Sequence, residues 1–559
     1  MHDWNTLLPS SHIDTFTRDR LPPPDQWPVF MTERPELNYP DVLNVASELV
    51  DRHTQTGLGQ RVALHGVNHI DQHSDTFHWT YAQLQEKVNR IAMVLTHDMK
   101  LVPGNRILLR GGNSPMMAAC LLATFKAGLV AVPTMPLLRT GELSTIIEKA
   151  QVHAALCDSL LSEELQNCLN ASHPHHASSL QQIVEFRSSA VDGLEQRMQH
   201  HSADFNAHPT SRDDVCLIAF TSGTTGKPKG TMHFHRDVLA MCDLFPRHIL
   251  KMNADDVVCG TPPIAFTFGL GGLLAFPLRY GASTVLLEKH TPETLLRTVA
   301  HYHATHCYTA PTMYRQMAAL AKDFELSSLH HTVSAGEALP DATRQLWKEA
   351  TGIEMTDGIG GTEVIHIYIS SANEQVRRGA IGKVVPGYIA QIVDEAMQPV
   401  PPGTVGRLAV RGPTGCKYLD DPRQQDYVKA GWNLPGDTFV MDVDGYFSYQ
   451  ARNDDMSISA GYNIAGPEVE SALLLHPAVL ECGVVGMPDE DRGQLVQAFV
   501  VLKPGYSAND ALIHELQEHV KEVIAPFKYP RKVVFIDALP RTETGKLQRF
   551  RLRQIHLKE

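Results

Sequence analysis

The chain is 559 residues long, 43% hydrophobic and 20% charged, with a formal net charge of −13. That length exceeds what one hydrophobic core usually serves, so two or more domains are expected. The composition excludes a disordered or fibrous chain, and 62 acidic against 49 basic residues argue against nucleic acid or an anionic membrane as partner.

Alternating helical and strand-like segments begin with Thr80 and Gln83, spaced as a capping box ahead of Leu84, Val88, Ile91 and Leu95 on one helical face. A strand-like Arg106–Arg110 follows, then an apolar helical run Pro115–Lys126 and a short strand over 130–133. This rhythm predicts α/β layers around a largely parallel sheet. Residues 159–209, rich in Ser, His and Gln, are expected to run over the surface. Near the C-terminus Gly466 and Pro467 open a helix, and residues 478–487 and 495–502 read as strands. An amphipathic helix carrying Leu512, Leu516, Val520 and Ile524 comes next, then a β-branched run over 532–536. The polar stretch 451–455 divides an N-terminal domain, 1–452, from a C-terminal one, 453–559. Nine cysteines without a C-x-x-C pair fit a reducing compartment. No signal-peptide stretch or membrane-length apolar run is evident, so a cytoplasmic protein is expected.

The most informative segment runs from Cys216 to Gly230, where a buried-strand signal enters a loop dense in hydroxyls, glycines and lysines. Glycines let backbone N–H groups approach an anion, and hydroxyls and ammonium groups add donors and charge. Thr221, Ser222, Gly223, Thr224, Thr225, Gly226 and Lys227 therefore read as a phosphate-gripping loop. It is not a Walker A loop, because Gly223 and Gly226 are too close and Pro228 stands where Ser or Thr is required. Histidine groups such as His173, His175 and His176, or His301, His303 and His306 with Cys307, lack the evidence of convergence that a zinc site needs.

With the strings 220–230, 334–338, 357–363, 436–437, 451–461 and 540–546 in order, the chain resembles the superfamily of adenylate-forming enzymes. That superfamily comprises acyl- and aryl-CoA ligases, carrier-loading adenylation domains and luciferases. The resemblance implies a large N-terminal domain of α/β layered sheets and a small, mobile α+β C-terminal domain. It implies activation of a carboxylate with ATP and Mg²⁺, then transfer of the acyl group to the thiol of coenzyme A. By that resemblance Glu363 binds Mg²⁺, Thr362 touches the α-phosphate, and Lys546 bridges the attacking carboxylate and the α-phosphate. Asp437, Tyr449 and Arg452 hold the ribose side, while Gly336, Glu337, Ala338, Asp357, Gly358 and Ile359 frame the adenine. Many relatives have an aromatic residue where Ile359 stands, whereas benzoate-type ligases share its Ile-Gly-x-Thr-Glu pattern.

The strings 358–370 and 262–272 look like those of benzoate- and 2-aminobenzoate-CoA ligases, and 231–237 and 459–468 lean toward the 2-aminobenzoate group. An acid pocket of Phe266, Thr267, Phe268, Phe276, Ala335, Gly360 and His366 is implied, suited to a flat aryl carboxylic acid. Asp454 matches the family's hinge, and Ser459, Ala460, Gly461 and Tyr462 match its pantetheine contacts. The expected protein is an aryl acid–CoA ligase, monomeric or homodimeric. The rival reading is a free-standing enzyme that loads a carrier-protein thiol.

Overall fold

The computed structural model describes residues 4, 6–67, 76–221, 228–452, 456–459, 462–489, 493–524, 526–541 and 547–556. Lys546, Asp454, Ala460, Gly461 and the loop from Ser222 to Lys227 lie outside the described residues.

Among the described residues, two large sheets carry the N-terminal part. One has nine strands in the order Lys383–Val384, Ile367–Ser371, Met355–Gly360, His331–Ser334, His306–Thr309, Val257–Gly260, Ser283–Leu287, Val62–Val67 and Thr76–Thr80. Its central strands are parallel and its two ends are antiparallel. The second has six strands in the order Gln182–Phe186, Val152–Asp158, Arg106–Arg110, Val130–Thr134, Val215–Thr221 and Lys229–Phe234, parallel except for the last pair. Its central strand Arg106–Arg110 is buried throughout, as a strand covered on both faces must be.

Local sequence explains the helices that cover these sheets. Thr80 accepts the Gln83 backbone N–H at 3.2 Å, and the Gln83 side chain accepts the Thr80 N–H at 2.9 Å, so both halves of the capping box form. Ser114 caps the helix Pro115–Lys126 by accepting from the Met117 N–H, with proline in the first turn, where it loses no hydrogen bond. Such a cap contributes about 1 kcal/mol.

Residues 159–209 depart from the expected surface stretch. They include helices Glu163–Leu169 and Leu194–Gln199 and the edge strand Gln182–Phe186, which buries Val184 and Phe186. The polar loops around that strand mask its short apolar pattern.

A third, antiparallel sheet contains Gly406–Arg411, Asp437–Met441 and Phe447–Arg452. Beyond it lie a hairpin, Met456–Ser459 with Tyr462–Ala465, and a three-stranded sheet of Val479–Asp489, Gly493–Leu502 and Lys532–Phe535. Helices Gly466–Leu473 and Asp510–Val523 pack there through Val469, Leu473, Leu512, Leu516 and Val520, forming a hydrophobic cluster separate from that of the large sheets. Ile524 falls just past the second helix, as its extended C-cap, and still packs against the cluster. The chain thus has the expected α/β architecture, with a large N-terminal and a small C-terminal domain. No helix among the described residues is long and apolar enough to cross a membrane.

Candidate functional site

The site gathers where the turn after strand Met355–Gly360 of one large sheet meets strand Lys229–Phe234 of the other. Strand Met355–Gly360 delivers Asp357, Gly358 and Ile359, then turns through Thr362–Val364 into strand Ile367–Ser371. The turn is tight. A Cβ at Gly360 would stand 2.5 Å from the His366 carbonyl oxygen, and Ile365 adopts φ +70°. A β-branched residue seldom takes that conformation, so surrounding packing holds it there. Glu363 and His366 stand on either side of this constrained residue.

Side chains from elsewhere in the chain brace the turn. His233, on strand Lys229–Phe234, is fully buried and its Nε2 lies 2.8 Å from the Thr362 carbonyl oxygen. A carbonyl only accepts, so Nε2 carries the proton. Burial lowers the His233 pKa, against an upward pull from Asp237, and the ring is neutral. Asp237 accepts from the buried Lys417 ammonium at 2.9 Å. Burial would raise the Asp237 pKa, but the Lys417 ammonium, with Arg236, outweighs it and keeps the carboxylate ionised. On Glu363, Oε1 accepts from the Tyr418 hydroxyl at 2.6 Å, and the Lys229 ammonium stands 3.6 Å away.

Among the residues expected to frame the adenine, Gly336 has φ +91°, a conformation that suits glycine, directly before Glu337 and Ala338. The Glu337 side chain points away toward the C-terminal domain: Arg541 donates to its Oε1 at 2.8 Å and Thr312 to its Oε2 at 3.3 Å. Arg541 also donates to Glu481 at 3.0 Å. Asp357 is buried, and burial pushes its carboxyl up to about 7, against the Arg344 guanidinium 3.7 Å away and the Gly358 N–H. Asp437 opens its strand after Gly436, at φ +84°, and stands in register with Arg452. Tyr449 lies edge-on to Phe439 at 5.5 Å.

The aromatic side forms a box around His366. Phe276, Phe245 and Phe268 have ring centroids 4.5, 5.7 and 5.8 Å from its imidazole. Phe268 also lies edge-on to Tyr308 at 5.9 Å. Burial drives the His366 pKa down to about 3, against an opposing pull from the Phe268 backbone. Neither ring nitrogen meets hydrogen-bond geometry among the described residues, although the residue is only 3% exposed. Ala335, Thr267 and Phe276 are buried, whereas Phe266 is half-buried and begins the short helix Thr267–Gly269.

The remaining expected residues are dispersed. Thr221 ends its strand with a buried hydroxyl that has no partner among the described residues. Ser459 and Tyr462 are paired in register across their hairpin. Arg541 and Leu547 pair across the segment that carries Lys546. Sequence reading missed Lys229, His233, Asp237, Lys417, Tyr418, Arg344, Arg541, Phe245 and Tyr308. The local signals were the i,i+4 pair of His233 and Asp237 and the place of Lys229 in the lysine-bearing segment 216–230; the others meet the site through contacts distant in sequence.

Comparisons with known proteins show the family. The AMP-binding enzyme family matches residues 52–417, and the AMP-binding enzyme C-terminal domain matches 468–546. A benzoate–CoA ligase of Thauera aromatica is 36% identical over 93% of this chain and 97% of its own. The crystal structure of an anthranilate CoA ligase in complex with anthranoyl-AMP superposes with a TM-score of 0.86 at 31% identity, covering 93% of this chain and 99% of that one. A benzoate CoA ligase from Burkholderia xenovorans LB400 gives 0.81 at 29% identity, over 92% and 100% of the two chains.

Proposed function

Because this chain belongs to the AMP-binding, adenylate-forming enzyme family and is an AMP-forming acid–thiol ligase, we propose that its substrate is an aryl carboxylic acid of the benzoate or 2-aminobenzoate type, joined to coenzyme A. The observation that carries this reading is the aromatic box around His366, three residues along from Glu363. A flat ring held against Phe268 and Phe276 would present its carboxylate toward the Thr362–Glu363 turn. An ortho amino group would meet the hydrogen-bonding capacity that His366 leaves unused.

In this reading Thr221 to Lys227 grip the triphosphate, Gly336 to Ala338 and Asp357 to Ile359 frame the adenine, and Asp437, with Tyr449 and Arg452, holds the ribose. Thr362 touches the α-phosphate. Lys546 steers the acid carboxylate onto the α-phosphorus, forming the acyl-adenylate and releasing pyrophosphate. In-line displacement of this kind depends on positioning and charge neutralisation more than on acid–base chemistry. Glu363 suits a Mg²⁺ ion, because its carboxylate offers hard oxygen donors. The cation would supply charge neutralisation across the phosphates. The thiol of coenzyme A then attacks the adenylate, past Ser459, Ala460, Gly461 and Tyr462, and AMP leaves. Asp454 is the hinge between the domains, which divide at 452/453.

His366→Phe keeps an aromatic ring and removes both nitrogens. In ATP–pyrophosphate exchange we expect it to lower kcat/KM for 2-aminobenzoate about tenfold, equivalent to ~1.4 kcal/mol, while sparing benzoate. An equal loss on both acids would remove His366 from substituent recognition.

A further inference from the structure

Tyr418 is 1% exposed, and a tyrosine so deeply buried needs a partner for its hydroxyl. That partner is Glu363 Oε1, at 2.6 Å. The rest of Tyr418 is fixed independently. Its N–H donates to Gln424 Oε1 at 2.9 Å, and its ring lies edge-on to Tyr427 at 5.8 Å. The flanking backbone is tied to the neighbouring strand: the Met232 N–H donates to the Lys417 carbonyl, and the Leu419 N–H to the Gly230 carbonyl, both at 2.8 Å. Lys229 completes the group, donating to the Tyr418 hydroxyl at 2.9 Å. Glu363 Oε2 lies by Gly361, where a Cβ would stand 3.5 Å from it. It takes no hydrogen bond from the described residues.

We propose that Tyr418 is a positioning residue for the cation that accompanies ATP: it pins one oxygen of Glu363 so that the other is presented toward the nucleotide phosphates. A glutamate has several rotatable bonds, and a carboxylate free to turn would have to be ordered each time the metal–nucleotide complex bound. Tyr418 does that ordering in advance, with Lys229 holding the phenol in place. The inference rests on the reading of Glu363 as the metal-holding carboxylate, but it concerns a different residue, 55 positions away.

The test uses Tyr418→Phe in the full-length protein, which removes the hydroxyl and keeps the ring. Two quantities are measured: the half-saturating Mg²⁺ concentration in ATP–pyrophosphate exchange, and Mn²⁺ binding with a non-hydrolysable ATP analogue, followed by electron paramagnetic resonance without turnover. Both should weaken about tenfold, the usual scale for partners that orient a metal ligand, while KM for the aryl acid stays unchanged. Wild-type metal dependence in Tyr418→Phe would overturn the proposal, as would a parallel rise in KM for the acid. Glu363→Gln separates the two levels. If Glu363→Gln weakens Mn²⁺ binding and Tyr418→Phe does not, only the positioning role falls. If Glu363→Gln binds Mn²⁺ like wild type, the metal-holding assignment falls with it.

Discussion

Asp357 is a carboxyl that burial pushes up to about 7, with Arg344 too far away, at 3.7 Å, to reverse the effect. In the unfolded chain the same group titrates near its ordinary value of about 4. Folding therefore takes up a proton between those values. The contribution of Asp357 to stability is fully present below pH about 4 and is lost as the pH rises through about 7. Asp357→Asn carries no such charge. We expect its melting temperature relative to wild type to improve between pH 5 and pH 8, a change worth a few kcal/mol (~1.4 per unit of pKa shift). A difference that does not vary with pH would show that Asp357 stays ionised in the fold. The motif identified Asp357 as a frame residue, but its altered ionisation depends on a desolvated environment assembled by tertiary packing. Tyr418 was illegible for a similar reason. It lies in a stretch without periodicity and reaches Glu363 only through the pairing of that stretch with strand Lys229–Phe234.

The helical segments Thr267–Gly269, Leu270–Ala275 and Phe276–Tyr280 depend on glycines for close approach. A Cβ at Gly269 would lie 2.1 Å from the Pro263 carbonyl oxygen, one at Gly272 would lie 2.7 Å from the Tyr308 ring, and one at Gly271 would lie 2.5 Å from His366 Cδ2. Gly271→Ala therefore displaces the imidazole or moves the helix. It should cost ~1–3 kcal/mol of stability, as overpacking does, and raise KM for the acid several-fold while leaving KM for ATP unchanged. Equal effects on both KM values would show that the helix supports the whole site and not the aromatic box. The glycine-rich string was legible as a family signature. Its cause was not, because the rings it accommodates, Tyr308 and His366, are distant in sequence. Elements with strong local signals, such as the capped helix from Tyr81 and the strand Arg106–Arg110, formed with the expected pattern. The edge strand Gln182–Phe186 escaped notice because five residues among polar loops carry too little periodicity.

Across the whole molecule, Arg541 links the two domains. Its guanidinium joins Glu337 of the N-terminal domain to Glu481 in the C-terminal domain, just before the segment that carries Lys546. The side chains are partly shielded, so a coupling of about 1 kcal/mol is expected between Arg541 and Glu337. In a double-mutant cycle of Arg541→Ala and Glu337→Gln, each single variant should slow ATP–pyrophosphate exchange, and the double variant should be no slower than the slower single one. Strictly additive losses would mean that the pair does not couple the domains during adenylation. The family motifs made both domains legible, whereas this bridge, 204 residues apart in sequence, is visible only in the folded chain.

The most direct measurement is AMP release with ATP, Mg²⁺ and coenzyme A across a panel of benzoate, 2-aminobenzoate, 2-hydroxybenzoate, phenylacetate, hexanoate and acetate. AMP release should depend on coenzyme A, be fastest on the benzoates and be negligible on acetate. Fastest turnover on hexanoate or acetate would contradict an aryl pocket, and adenylation without any dependence on coenzyme A would contradict the ligase itself.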